Sequence, residues 1–222
     1  MNKYQILILL VVFLTHTQAY SASLKIGDLL ISEVMSNPSA VSDTNGEWFE
    51  IFNASATTHN LNGLLIRDNG SNSHTIDNGT GLFINPGQYL LLGRNNDILS
   101  NGGLLIDYQY SNFTLSNSTD QIILLFDANE IASLDYSGAP FGESGVSAEI
   151  TNQASVTTQV DYRLTQDLQY GNGDFGTPGS AGSFDLTSAA NVPVPGAIWL
   201  FASATLISLR NVRRAHLNDY TI

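Results

Sequence analysis

The side chains best suited to chemistry are two glutamates three residues apart, Glu47 and Glu50, in Gly46-Glu47-Trp48-Phe49-Glu50-Ile51. Two carboxylates can divide acid and base roles only when they face one another across a substrate. Their apolar surroundings read as a strand, on which residues three apart point to opposite faces. The expected roles are therefore structural, one glutamate paired with a cation such as Arg67 and the other at a strand edge. His59 and His74 are the histidines of the central body, and either could in principle activate a serine. Ser144, in Gly142-Glu143-Ser144-Gly145, departs from the Gly-x-Ser-x-Gly elbow. Both histidines sit in polar, turn-like sequence and are expected at the surface. The chain has no cysteine, which excludes thiol chemistry, and no His-x-x-x-His pair, which argues against a zinc hydrolase. No catalytic residue is assigned.

Oxygen-rich loops offer a second kind of chemistry. Asp43, Asn45 and Glu47 alternate, and Asp68-Asn69-Gly70 and Asp77-Asn78-Gly79 follow. Calcium takes six to eight oxygen ligands, and such loops can supply several. None completes an EF-hand loop, and the same Asn, Asp and Gly residues are what turns require. Asp43, Asn45, Glu47, Asp68 and Asp77 are thus the candidate calcium ligands, with no other cofactor expected. A metal-dependent hydrolase would need at least three of Asp43, Glu47, Asp68 and Asp77 to converge. A calcium-stabilised adhesion module is the other alternative.

The elements that must position these residues read as strands. Apolar runs of strand length recur at 29–35, 48–52, 64–66, 89–92, 104–106, 122–126, 131–136 and 146–150. Between them stand Asn45-Gly46, Asn62-Gly63, Asn69-Gly70, Asn78-Gly79, Pro86-Gly87 and Asn101-Gly102-Gly103, each a source of positive φ or a preset turn. Residues 127–130 form a plausible hairpin loop between two of these strands. The run 122–126 lacks clean alternation and is expected to be buried on both faces. No sustained 3.6-residue pattern crosses the body, so the fold class is all-β, a sandwich or barrel.

Charge narrows the partners. Between residues 20 and 192, Lys25, Arg67, Arg94 and Arg163 face 19 acidic residues, a net charge near −15. Such a surface repels phosphate backbones, so no nucleic acid is expected. It suits solubility, cations, or basic and neutral partners.

Both ends read as targeting devices. Lys3 precedes an apolar run of about a dozen residues, with small residues placed for cleavage after Ala19, the layout of a secretory signal peptide over residues 1–19. Near the other end, Val192-Pro193-Val194-Pro195 precedes an uncharged helix candidate at 196–209 containing Trp199, with Arg213 and Arg214 beyond it. Residues 185–191 read as a linker and 215–222 as a short cytoplasmic tail. This tripartite segment, 192–214, resembles the PEP-CTERM family of sorting signals in its Val-Pro-Leu-Pro-Ala-like form. The resemblance implies a membrane-anchored precursor processed by an exosortase, an integral-membrane enzyme of Gram-negative bacteria, with cleavage near Pro193 and Pro195. The mature protein would then reside at the cell surface or in the extracellular matrix. Arg210 within the apolar run and the eight-residue tail depart from the usual pattern.

The body, residues 25–184, resembles the lamin-tail domain family. The carrying motifs are Leu30-Ile31-Ser32-Glu33-Val34-Met35 with Asn37-Pro38, then Gly46-Glu47-Trp48-Phe49-Glu50-Ile51-Phe52-Asn53, then Leu61-Asn62-Gly63-Leu64-Leu65-Ile66-Arg67-Asp68. Pro86-Gly87-Gln88-Tyr89 with the following leucines, Leu115 to Ile122, and a closing Gly176-Thr177-Pro178-Gly179 complete the order. The resemblance implies an immunoglobulin-like β-sandwich and fixes no function, since a fold does not set its chemistry. The expected role is a non-enzymatic binding or structural module whose ligand is an extracellular protein or polysaccharide.

Overall fold

The computed structural model describes residues 23–184 and 186. The expected signal peptide with Ala19, and the sorting segment with Val192, Pro193, Val194, Pro195, Trp199, Arg213 and Arg214, lie outside the described residues. No described helix is long and apolar enough to cross a membrane.

Strands follow one another with two helical turns among them, an α-helical one at Asp43–Gly46 and a 3-10 one at Gln159–Asp161. In chain order they are β1 (Leu29–Met35), β2 (Trp48–Asn53), β3 (His59–Asn60), β4 (Leu65–Arg67), β5 (Ser73–Thr75), β6 (Phe83–Ile84), β7 (Tyr89–Gly93) and β8 (Tyr108–Gln109). The second half holds β9 (Thr119–Phe126), β10 (Asn129–Ser137), β11 (Ala148–Ile150), β12 (Val156–Thr158), β13 (Tyr162–Leu164), β14 (Gln169–Tyr170) and β15 (Asp174–Phe175). Six strands form one sheet in the order β13-β11-β1-β2-β7-β8, and five form the other, β12-β10-β9-β4-β5. The architecture is a β-sandwich of the immunoglobulin-like class, as expected.

The core lies between these sheets. Ile31, Val34, Phe49, Ile51, Leu90 and Leu92 meet Ile66, Ile122, Leu124, Leu134 and Tyr136 in one apolar cluster. Each fully buried aliphatic or phenyl side chain contributes about 1.5–3 kcal/mol. All six positions of β2 are buried, which a two-layer sandwich alone does not explain, because alternation sends Trp48 and Glu50 away from the core. A further layer of chain covers the outer face of the six-stranded sheet. Met35, Trp48, Leu91 and Leu104 form a second cluster there, with Ile106 and Tyr170 against it.

The predicted hairpin is present and tighter than expected. Asp127 and Ala128 form the loop at φ 49° and 65°, the geometry of a type I′ turn, and Asn129 and Glu130 already belong to β10. The run 122–126 is buried at Ile122, Ile123 and Leu124, whereas Leu125 and Phe126, at the hairpin end of β9, are half-buried. The run 104–106 is not a strand. The turn at Asn101-Gly102-Gly103 feeds it across the sheet, and Asp107 Oδ2 accepts the Leu91 N–H at 2.8 Å.

Candidate functional site

The chemistry-bearing residues that the fold gathers are three glutamates on neighbouring strands. In the pairing of β1 with β2, Glu33 stands opposite Glu50, and in the pairing of β1 with β11 it stands opposite Glu149. Directly opposed residues share a face, so the carboxyls form a row across the sheet. Arg163 of β13 extends the row beyond Glu149. A β-bulge between Ile31 and Glu33 makes this possible. Simple alternation would put both residues on one face, but the bulge sends Ile31 to the core and Glu33 outward.

The row is buried, with Glu33, Glu50 and Glu149 at 1%, 1% and 2% exposure. What buries it is the segment after β15, residues 176–184, and each carboxyl takes one backbone amide from it. Thr177 N–H donates to Glu33 at 2.9 Å, Gly179 N–H to Glu50 at 2.6 Å, and Ser183 N–H to Glu149 at 2.8 Å. Hydroxyls complete the set. Thr177 Oγ1 donates to Glu33 Oε2 at 2.7 Å, Ser32 Oγ donates to Glu50 at 2.6 Å, and Ser147 and Ser183 donate to Glu33 and Glu149 respectively. The single guanidinium is committed to Glu149, with Arg163 Nη2 at 2.6 Å from Oε1. A Cβ at Gly182 would overlap Glu149 Oε2, so only glycine lets the segment lie this close. Leu186, beyond it, joins the apolar core.

Burial holds the Glu33 carboxyl above the ordinary carboxylate range, with its hydrogen bonds pulling the other way and Glu149 adding repulsion. Burial, then the neighbouring Glu33, pushes Glu50 well above that range. The gap left under the segment, bounded by Ser32, Glu33, Glu50, Glu149 and Thr177, measures about 10 Å³. That is room for about one water molecule and none for a substrate. The arrangement fastens the chain to itself.

Two expectations about the sequence motif need correction. Glu50 does not sit at a strand edge, since β2 runs between β1 and β7. Glu47 takes its cation from Arg94 at 3.2 Å, not from Arg67, which lies on β4 in the other sheet. Glu47 Oε2 also accepts the Leu115 N–H at 3.1 Å. Burial outweighs both donors and lifts its carboxyl to about 7. A carboxyl near 7 suits general acid–base work, but Glu47 is only 3% exposed and its partners are structural.

His59 is also not at the surface. Its pairing with Ile84 buries it to 1% exposure. Ser55 Oγ lies 2.8 Å from His59 Nε2, and Asp28 Oδ2 lies 3.6 Å from the same nitrogen. A catalytic relay needs serine and carboxylate on different ring nitrogens, so this Ser-His-Asp grouping is not a triad. His74, half-buried on β5, shares a 2.8 Å hydrogen bond with Tyr108 Oη. Ser144 is exposed between β10 and β11.

Of the candidate calcium ligands, Asp43 and Asn45 tie their turn to other loops, and Asp68 and Asp77 close their own turns. Asp43 accepts Asn117 Nδ2 at 3.1 Å, and Asn45 accepts Asn95 Nδ2 at 3.4 Å. Asp68 closes its turn on the Gly70 N–H at 2.7 Å and on Asn72 Nδ2 at 2.9 Å, and Asp77 receives the Gly79 N–H at 3.2 Å. Among the described residues, no three His, Asp or Glu side chains gather as a metal-binding group.

A crystal structure of a DUF4876 family protein from Bacteroides thetaiotaomicron VPI-5482 superposes with a TM-score of 0.41 at 12% identity, covering 78% of this chain and 76% of that one. No curated protein matches the chain. The model of the Lamin Tail Domain family matches residues 22–138, more than half of the chain and the part that carries Glu33, Glu47 and Glu50. With its opening strand, its Glu-Trp-Phe-Glu-Ile-Phe strand and its hairpin in that span, the chain belongs to the lamin tail domain family.

Proposed function

We propose that this is a non-enzymatic, exported surface protein in which the sandwich serves as a binding or structural module. The observation that carries the reading is the use made of the buried ionisable groups. Glu33, Glu50 and Glu149 bind the chain's own segment after β15, and Glu47 binds Arg94 and the Leu115 backbone. A hydrolytic site needs such groups open to a substrate. The face left to a partner is the outer side of the five-stranded sheet, where a shallow depression of about 300 Å³ runs past Asp68, Asp120, Gln121 and Asp135. Its acidity suits an extracellular protein or polysaccharide and disfavours nucleic acid.

Residues 1–19 support export, and 192–214 support anchoring in the inner membrane followed by exosortase-type processing to the cell surface or matrix. Deletion of residues 192–222 in the native host tests this. The sandwich should then appear in the periplasm or medium and vanish from the cell surface. Undiminished surface display of the truncated chain would overturn the reading.

A further inference from the structure

We propose that residues 177–184 form a proton-operated strap, which lies over the carboxyl row while Glu33 and Glu50 hold one proton between them and lifts when both are ionised. The geometry sets the charge count. Three buried carboxyls share one cation, Arg163, and it is committed to Glu149. Glu33 and Glu50 stand directly opposite each other, and like charges so placed destabilise a sheet.

The proton belongs on Glu50. Glu33 accepts three donors, Thr177 N–H, Thr177 Oγ1 and Ser147 Oγ. Glu50 accepts two, and one of them, Ser32 Oγ, can reverse and accept from a protonated carboxyl. The other titratable groups facing the pair are Glu149 on β11, Tyr89 on β7, Asp107 before β8 and Tyr170 on β14. None of them supplies a positive charge. The strap residues 177–184 contain no titratable side chain, so the sheet beneath carries the whole response.

Lifting the strap returns Glu50 to water and to an ordinary glutamate pKa of about 4.3. Between that value and the raised value of the closed state, opening releases one proton, so the opening constant rises about tenfold per pH unit. The strap is firmest in acid and loosens as pH rises. Opened, its eight residues would add up to about 28 Å of chain between the sandwich and everything beyond residue 184.

Hydrogen exchange of the full-length chain in neutral detergent, resolved at the Thr177, Gly179 and Ser183 amides, tests the proposal. From about pH 5 upward, for as long as Glu50 stays protonated in the closed state, protection corrected for intrinsic exchange should fall about tenfold per unit. Amides of β2 and β9 should stay protected. Glu50→Gln imitates the protonated carboxyl and should make strap protection independent of pH. Should that variant lose β2 protection, Glu33→Gln removes the like charge opposite Glu50 and should narrow the pH range over which strap protection falls. A flat wild-type profile, a glutamine variant with the wild-type pH dependence, or strap amides that exchange only together with β2 would each overturn the proposal.

Discussion

Replacing Glu47 by glutamine asks whether the most catalytic-looking carboxyl in the chain is a structural one. Burial lifts the folded-state carboxyl from 4.5 to about 7 despite Arg94 and the Leu115 N–H. A group whose pKa is raised by folding contributes stability that is complete below its unfolded value and is lost as pH rises through its folded value. For Glu47 that window runs from 4.5 to about 7. At 1.36 kcal/mol per pH unit, the contribution lost is about 3 kcal/mol. Glutamine matches the protonated carboxyl in shape and never ionises. Glu47→Gln should therefore equal the wild type in acid and exceed it by about 3 kcal/mol at the alkaline side of the window. In a domain of this size that is roughly 6–12 °C in melting temperature. Urea unfolding followed by circular dichroism at several pH values measures the difference. A variant that tracks the wild type at every pH, or falls below it in alkali, would refute the reasoning and make the Glu47–Arg94 pair a net stabiliser.

Three further outcomes follow from single contacts. Tyr170→Phe leaves the Trp48 Nε1–H, now 3.0 Å from the Tyr170 hydroxyl, without that acceptor; unfolding should show a loss of about 1–3 kcal/mol. Ala128→Gly relieves a φ of 65° in the β9–β10 turn and should stabilise by about 0.5–1 kcal/mol, read as a higher urea midpoint at unchanged slope. Millimolar calcium should leave the melting temperature unchanged, because the candidate ligands are spread over separate turns; a concentration-dependent rise would establish an ion site, since a ligand of the native state stabilises by mass action.

The sequence carries local features well and distant ones poorly. The strand at 48–52 and the hairpin at 122–136 are written in consecutive residues, and both are present. The carboxyl row is not legible, because Glu33, Glu50 and Glu149 meet only through strand register, and the bulge at Ser32 reverses the face that alternation assigns to Glu33. Their burial contradicts the rule that acidic residues face water; the covering segment comes from residues 176–184, far along the chain. Gly176 and Gly182, where a Cβ would meet Ser147 and Glu149, are the signal that could have revealed a close approach of backbone to the sheet. His59 sits among threonines and serines that read as a loop, and its burial depends on the two-residue pairing with β6.

The reading of an exported and sorted module is tested most directly by the intact mass of the protein from its native host, measured in each cell fraction. A species beginning near Tyr20 and ending near Pro193 to Pro195 is expected outside the inner membrane. A species that keeps Arg213, Arg214 and Ile222 and stays in the inner membrane would contradict sorting, and a cytoplasmic species that keeps Met1 would contradict export altogether.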